Sequence, residues 1–189
     1  SATEDYRIAQ GKLNTAYEAA GYSAETAATA YNEFYQILGD TDTATEASQL
    51  LSKLVQNEQD VTKWTRVAAG VSGTFGDSLP IEGLIEATNE TAKVGKVTGV
   101  LADALNWVGI SEDKMNERLE RTSSEAERNR ILLETLTGSY DDAADAFYRN
   151  NEQLVQARKN QAALSAMTAK LGNASAIAKN SLMRLFGVQ

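Results

Sequence analysis

Four short stretches of this chain carry residue types that do chemistry elsewhere. The first is FGDSLP at 75–80, where a serine follows Gly-Asp as in some esterases. A serine hydroxyl is a weak nucleophile at neutral pH and needs an adjacent base, usually an imidazole held by an acid. The chain contains no histidine. Residues 64–75, WTRVAAGVSGTF, are also too rich in Ala and Gly for the buried strand that should precede such a serine. Ser78 therefore reads as a helix cap. Asp77 or Ser78 is the expected N-cap, Pro80 suits a first turn that needs no N–H, and Glu82 complements the helix dipole.

The second stretch, GDTDTATE at 39–46, alternates aspartates as a calcium loop does. It lacks the central glycine, and position twelve is Leu51 rather than glutamate. The third, KVGKVTG at 93–99, shares only Gly-Lys with a phosphate loop, because Glu90 and Val97 occupy the positions that need Gly and Ser or Thr. The fourth, Ser111-Glu-Asp-Lys114, fits S-x-x-K without its companion elements. Asp141, Asp142 and Asp145 could pair as acid and base, but at a helix start they more simply favour the dipole. With no Cys and no His, soft metal sites are not expected. The expectation is no enzyme, no cofactor and no metal.

These stretches sit in a chain of 189 residues with net charge −8 and a single proline. The acidic balance argues against generic nucleic-acid binding. No run of about 18 apolar residues is present, so neither a membrane span nor a signal peptide is expected. The leading Ser suggests an excerpt of a longer protein. The charge is uneven. After Glu152 there is no acidic residue, and Arg158, Lys159, Lys170, Lys179 and Arg184 give +5, which leaves −13 on residues 1–152. Such a chain can pair with itself, with a neighbouring copy or with an anionic surface.

The elements that must position all this are helices. Abundant Ala, Glu, Gln, Leu and Lys favour helix, and nothing alternates with period 2. The fold class is all-α, a bundle of about eight or nine helices without a β-sheet. The first helix covers 3–20 and turns Ile8, Leu13, Ala16 and Ala20 to one face. Ser23 caps 24–38, a Thr43-to-Glu46 capping box opens 44–57, and a fourth helix covers about 59–73. Ile81, Leu84, Ile85 and Thr88 follow at helical spacing. Thr98 is expected to cap 99–108, Ser111 to cap 112–121, and Thr122 to Ser124 to cap 125–137. A long helix is expected near 139–171, with Tyr140, Ala144, Phe147, Leu154, Leu164 and Met167 on its apolar side. Gly172-Asn173 then precedes a last helix over 174–186. Residues 70–109 hold seven of the thirteen glycines, which predicts turns, close crossings or a metastable segment. The expected organisation is an acidic helical domain over 1–138 and a long helix with a basic amphipathic end over 139–189, or one domain throughout.

Two resemblances bear on function. Asn106-Trp-Val-Gly109 and Tyr148-x-x-x-Glu152 resemble the W-x-G and Y-x-x-x-E signatures of type VII secreted helical hairpins, which implies a secreted effector or partner-binding protein. The stretch WTRVAAGVSGTFGDSLPIEGLIEATNETAKVGKVTGVLADALNW, from Trp64 to Trp107, resembles the central region of phage tail tape measure proteins. The likeness extends through NERLERTSSEAERNRILLETLTGSYDDAADAFYRNNEQL and upstream through AATAYNEFYQILGDTDTATEASQLLSKLVQ, about residues 24–157. FGDSLPIEGLIEA followed by GVLADALNW is its most specific part. Beyond Gly172 the chain is shorter and more basic than that family's pattern.

This second resemblance implies a structural component of a siphophage or prophage tail. Such a protein lies in the lumen of the tail tube, sets tail length and is ejected with the DNA. It implies the tail tube protein, tail assembly chaperones and self-association as trimer or hexamer as partners, and the host membrane on ejection. Ile177, Lys179, Leu182, Arg184, Leu185 and Phe186 form a basic amphipathic segment expected to contact a partner or a membrane.

Overall fold

The computed structural model describes residues 2–171 and 176–187. Among the described residues the protein is all α-helical. The helices are α1 (Ala2–Ala19), α2 (Ala24–Leu38), α3 (Thr41–Ser52), α4 (Gln59–Phe75), α5 (Ile81–Val94), α6 (Leu101–Trp107), α7 (Glu112–Glu120), α8 (Glu125–Asn150), α9 (Glu152–Leu171) and α10 (Ala176–Leu185). A 3-10 turn, Gly76–Ser78, follows α4.

Packing divides the chain into two compact units. Unit 1 joins the two ends of the chain, Ser1–Gln49 and Asn150–Gln189, and unit 2 is Leu50–Arg149. This division follows buried side chains. It does not follow the charge asymmetry, which changes after Glu152.

In unit 1 the core is Ala9, Leu13 and Tyr17 from α1, Ala27, Ala30, Tyr31, Phe34 and Ile37 from α2, and Ala44 and Ala47 from α3. α9 adds Ala162 and Leu164. Small alanines bring α1 and α2 close, and the tyrosines fill the remainder. Tyr17 Oη donates to the Ser48 carbonyl at 2.9 Å, so its burial leaves no orphaned hydroxyl. Ile8, placed on the apolar face by its spacing, is 52% exposed; the buried stripe runs through Ala9, Leu13 and Tyr17 instead. The first half of the chain meets the last through arginines. Arg158 of α9 donates to the carbonyls of Ile37 (2.7 Å) and Gln36 (3.3 Å), and Arg7 of α1 donates to the Ala169 carbonyl at 2.8 Å. Each guanidinium meets the negative end of a helix dipole.

In unit 2, Val61, Trp64, Val67, Ala68 and Val71 of α4 pack in a core with Leu84 and Ile85 of α5, Leu101, Ala104 and Leu105 of α6, and Leu132, Leu136, Tyr140 and Ala144 of α8. Met115 and Leu119 of α7 are buried as well. α4 and α8 come close together at two glycines. A Cβ on Gly70 would lie 2.5 Å from the Tyr140 carbonyl oxygen and 2.9 Å from its Cβ, and one on Gly73 would lie 3.3 Å from Phe147 Cβ.

The helix boundaries depart from the sequence expectation at five places, one being that α3 ends at Ser52 rather than at 57. The break expected at Gly138 lies instead at Asn151, between α8 and α9. The helical run over 125–150 buries Ile131, Leu132, Leu133, Leu136 and Tyr140 on both sides of Gly138. That burial outweighs the ~1 kcal/mol that glycine costs in a helix. The shifted break also changes the phase of α9, and Leu154 (46%) and Met167 (37%) are exposed. α3 begins earlier than its capping box, because Asp40 caps it: Oδ2 accepts from Thr43 N at 2.8 Å and from Thr43 Oγ1 at 2.7 Å. Thr98 does not cap α6, whose N-cap is Val100; its hydroxyl lies 3.3 Å from that of Thr91. Neither Asp77 nor Ser78 caps α5, whose N-cap is Pro80 in an extended conformation (φ −62°, ψ 136°). Proline presets that φ, and no side-chain acceptor takes part. Ser23, Ser111 and Ser124 do cap their helices. The Gly172-Asn173 break lies outside the described residues.

Two alanine substitutions in unit 2 separate packing from propensity. Gly138→Ala adds a Cβ into open space within a helix and should raise stability by about 0.5–1 kcal/mol. Gly70→Ala forces backbones apart and should lower it by about 1–3 kcal/mol despite the same gain in propensity. Urea unfolding of both variants measures the difference in sign.

Candidate interaction surface

The stretches that looked chemical are absorbed into helix ends and helix–helix contacts. Ser78 is exposed and its Oγ donates to the Phe75 carbonyl at 2.7 Å, closing the turn after α4. Asp40 is the cap of α3, and the two hydrogen bonds from Thr43 hold its carboxyl below the usual range. In KVGKVTG, Gly95 (φ 77°) ends α5 and Gly99 (φ 57°) opens the turn to α6. Val97 N donates to Asn116 Oδ1 at 2.7 Å, tying that turn to α7. Ser111 Oγ accepts from Lys114 N at 3.2 Å, which is a cap contact. Asp141 and Asp145, one turn apart on α8, grip Arg66 of α4 at 2.8 and 2.7 Å. The hydrogen bonds that the guanidinium donates to Asp145 and Asp141 raise its pKa further. Among the described residues no group of three or more Asp, Glu, His or Cys is placed to hold a metal ion. No helix among them is long and apolar enough to cross a membrane.

Large apolar side chains are exposed in both units, and the two most exposed among the described residues, Trp107 and Leu185, lie one in each. In unit 2, Trp107 is 67% exposed at the end of α6 and meets Phe75 edge to face, with ring centroids 5.3 Å apart. Phe75 also leans on Tyr140 at 6.5 Å. Tyr140 is buried, and its Oη donates to the Ala104 carbonyl at 2.6 Å. A single α8 residue thus sets both the course of α6 and the aromatic corner that carries Trp107. The W-x-G turn at 107–109 joins helices of seven and nine residues, not two long ones. Tyr148 and Glu152 lie on either side of the turn at Asn151.

In unit 1, the C-terminal segment was expected to present an amphipathic face. α10 is helical over Ala176–Leu185. Arg184 is exposed and Leu185 is 74% exposed. Phe186 is half-buried, and its carbonyl accepts from Asn160 Nδ2 of α9 at 3.1 Å. The side chains of Ile177, Lys179 and Leu182 lie outside the described residues. Sequence reasoning also missed that Ile8 of this unit is exposed. Its spacing fits an apolar stripe, and only the packing of Ala9 inward shows that the stripe is rotated by one residue.

Comparison of the chain with family models, with curated proteins and with solved structures returns no match.

The buried Tyr140 gives a measurable pH signature. Desolvation pushes its phenol up from 10.0 to about 12. The folded state keeps the proton where the unfolded chain has lost it, so this stabilisation is complete below pH 10 and is lost as pH rises towards 12. Tyr140→Phe removes that dependence and leaves the Ala104 carbonyl unpaired. Its stability should fall by about 1–2 kcal/mol at neutral pH, and its unfolding free energy should decline less steeply with alkali. Urea titrations of both proteins from neutral to alkaline pH test this.

Proposed function

We propose that this chain is a segment of a phage tail tape measure protein. It is a structural component of a siphophage or prophage tail that lies in the tail lumen, sets tail length and leaves with the DNA. In this reading the chain catalyses nothing, and its partners are the tail tube protein and the tail assembly chaperones.

One observation carries the reading. The residues on which the resemblance is most specific are those with a defined backbone task in unit 2. Gly76 and Gly99 take positive φ, Pro80 heads α5, and Trp107 ends α6. A glycine, proline and tryptophan order that meets such tasks is a fold pattern, which helix propensity alone does not generate. The all-helical build agrees with a ruler, since an α-helix rises a fixed 1.5 Å per residue.

The reading makes tail length the readout. Deleting the codons for residues 50–149 in frame, in the source genome, should shorten the tails seen by electron microscopy by about 150 Å, and duplicating them should lengthen the tails by the same amount. Tails of unchanged length in both strains would overturn it.

A further inference from the structure

In unit 1, α1 and α3 leave a groove of about 310 Å³ between them, lined by Asp5, Ile8, Lys12, Thr41, Asp42 and Glu46. Ile8 offers an apolar side chain that is 52% exposed. Asp5, Asp42 and Glu46 set three carboxylates around it against the single ammonium of Lys12. None of the three has an ion-pair partner among the described residues. An exposed apolar floor with an acidic rim fits a basic amphipathic helix end.

The same chain carries such an end. Every charge after Glu152 is positive. Where α10 stops, Arg184 is exposed and Leu185 is 74% exposed. Leu185 and Ile8 belong to one unit and both face solvent, so a copy does not fill its own groove with this end. We propose that the α1–α3 groove of one copy takes the Arg184–Leu185 end of α10 from a second copy. Leu185 covers Ile8, and Arg184 meets the carboxylates of Asp42 and Glu46. The two patches are different surfaces, so the contact is head to tail. It builds a ring if the rotation closes and an open chain if it does not. Self-association is expected of a tail-lumen segment, but this contact does not depend on that reading. A purely monomeric chain would leave the tail-length result standing.

Sedimentation equilibrium of the full chain over a concentration series tests the proposal. At low salt the mass should rise above the 20.4 kDa monomer with concentration and fall back as salt screens the contact. Glu46→Lys and Arg184→Glu should each weaken association at least about tenfold, with helical circular dichroism unchanged. Leu185→Ser should weaken it without altering charge. Mixing the Glu46→Lys and Arg184→Glu proteins should restore association, because an intact α10 end then meets an intact groove. A mass of 20.4 kDa at every concentration, variants that associate like the parent, or a mixture that stays monomeric would each overturn the proposal.

Discussion

Gly70 lets the backbone of α4 lie against the backbone of α8 at Tyr140, and unit 2 is arranged around that approach. A Cβ at Gly70 has no room, because it would meet a carbonyl oxygen that cannot rotate away. Close contact brings Val67, Val71, Leu136 and Ala144 into a dense core. It also aims Tyr140 across the core to the Ala104 carbonyl, which fixes α6. On the outer side of the same crossing, Arg66 spans to Asp141 and Asp145. That ion pair is half-exposed and adds little to stability.

A second device recurs in both units. Arg158 donates to the last carbonyls of α2, beside Gly39 at φ 72°. Arg128 of α8 donates to the Ala92 carbonyl at 2.6 Å and the Lys93 carbonyl at 3.3 Å, beside Gly95 at φ 77°. In each case a left-handed glycine ends the helix and an arginine from a distant segment satisfies the carbonyls left over. A guanidinium suits the task because its several N–H groups reach two carbonyls at once and stay charged at any ordinary pH. In unit 1 this matters for assembly. α9 packs on α1 and α2 with Ala162 and Leu164 buried, and the arginine contacts add to what ties the two ends of the chain together.

The fold class and most helices were legible because apolar spacing and punctuation agree. Ser23, Ser111 and Ser124 read correctly as signals since each acts within one turn of its own backbone. Some of the misread positions depend on distant partners. Gly138 looks like a stop, yet leucines packed on either side carry α8 through it. Asp77 and Ser78 look like caps, yet the turn after α4 uses them before Pro80 starts α5. Ile8 fits a stripe that the packing of Ala9 rotates away. The glycines at 70–109 were open to two readings, looseness or close contact. Gly70 and Gly73 take the second, because α8 lies over them. The candidate chemical stretches lack their motif partners in the sequence itself, whereas the groove beside Ile8 was invisible, since it needs α1 and α3 side by side.

A pattern that serves the backbone implies that the Trp64–Trp107 stretch is the stable centre of unit 2 rather than its loose part. Native-state amide hydrogen exchange, read peptide by peptide on the whole chain, tests this most directly. Peptides from 61–72 and 81–94 should exchange as slowly as those from 131–147 and open in one step with them. Fast exchange across 70–94 while 131–147 stays protected would contradict the account, and would make the glycines sites of local opening.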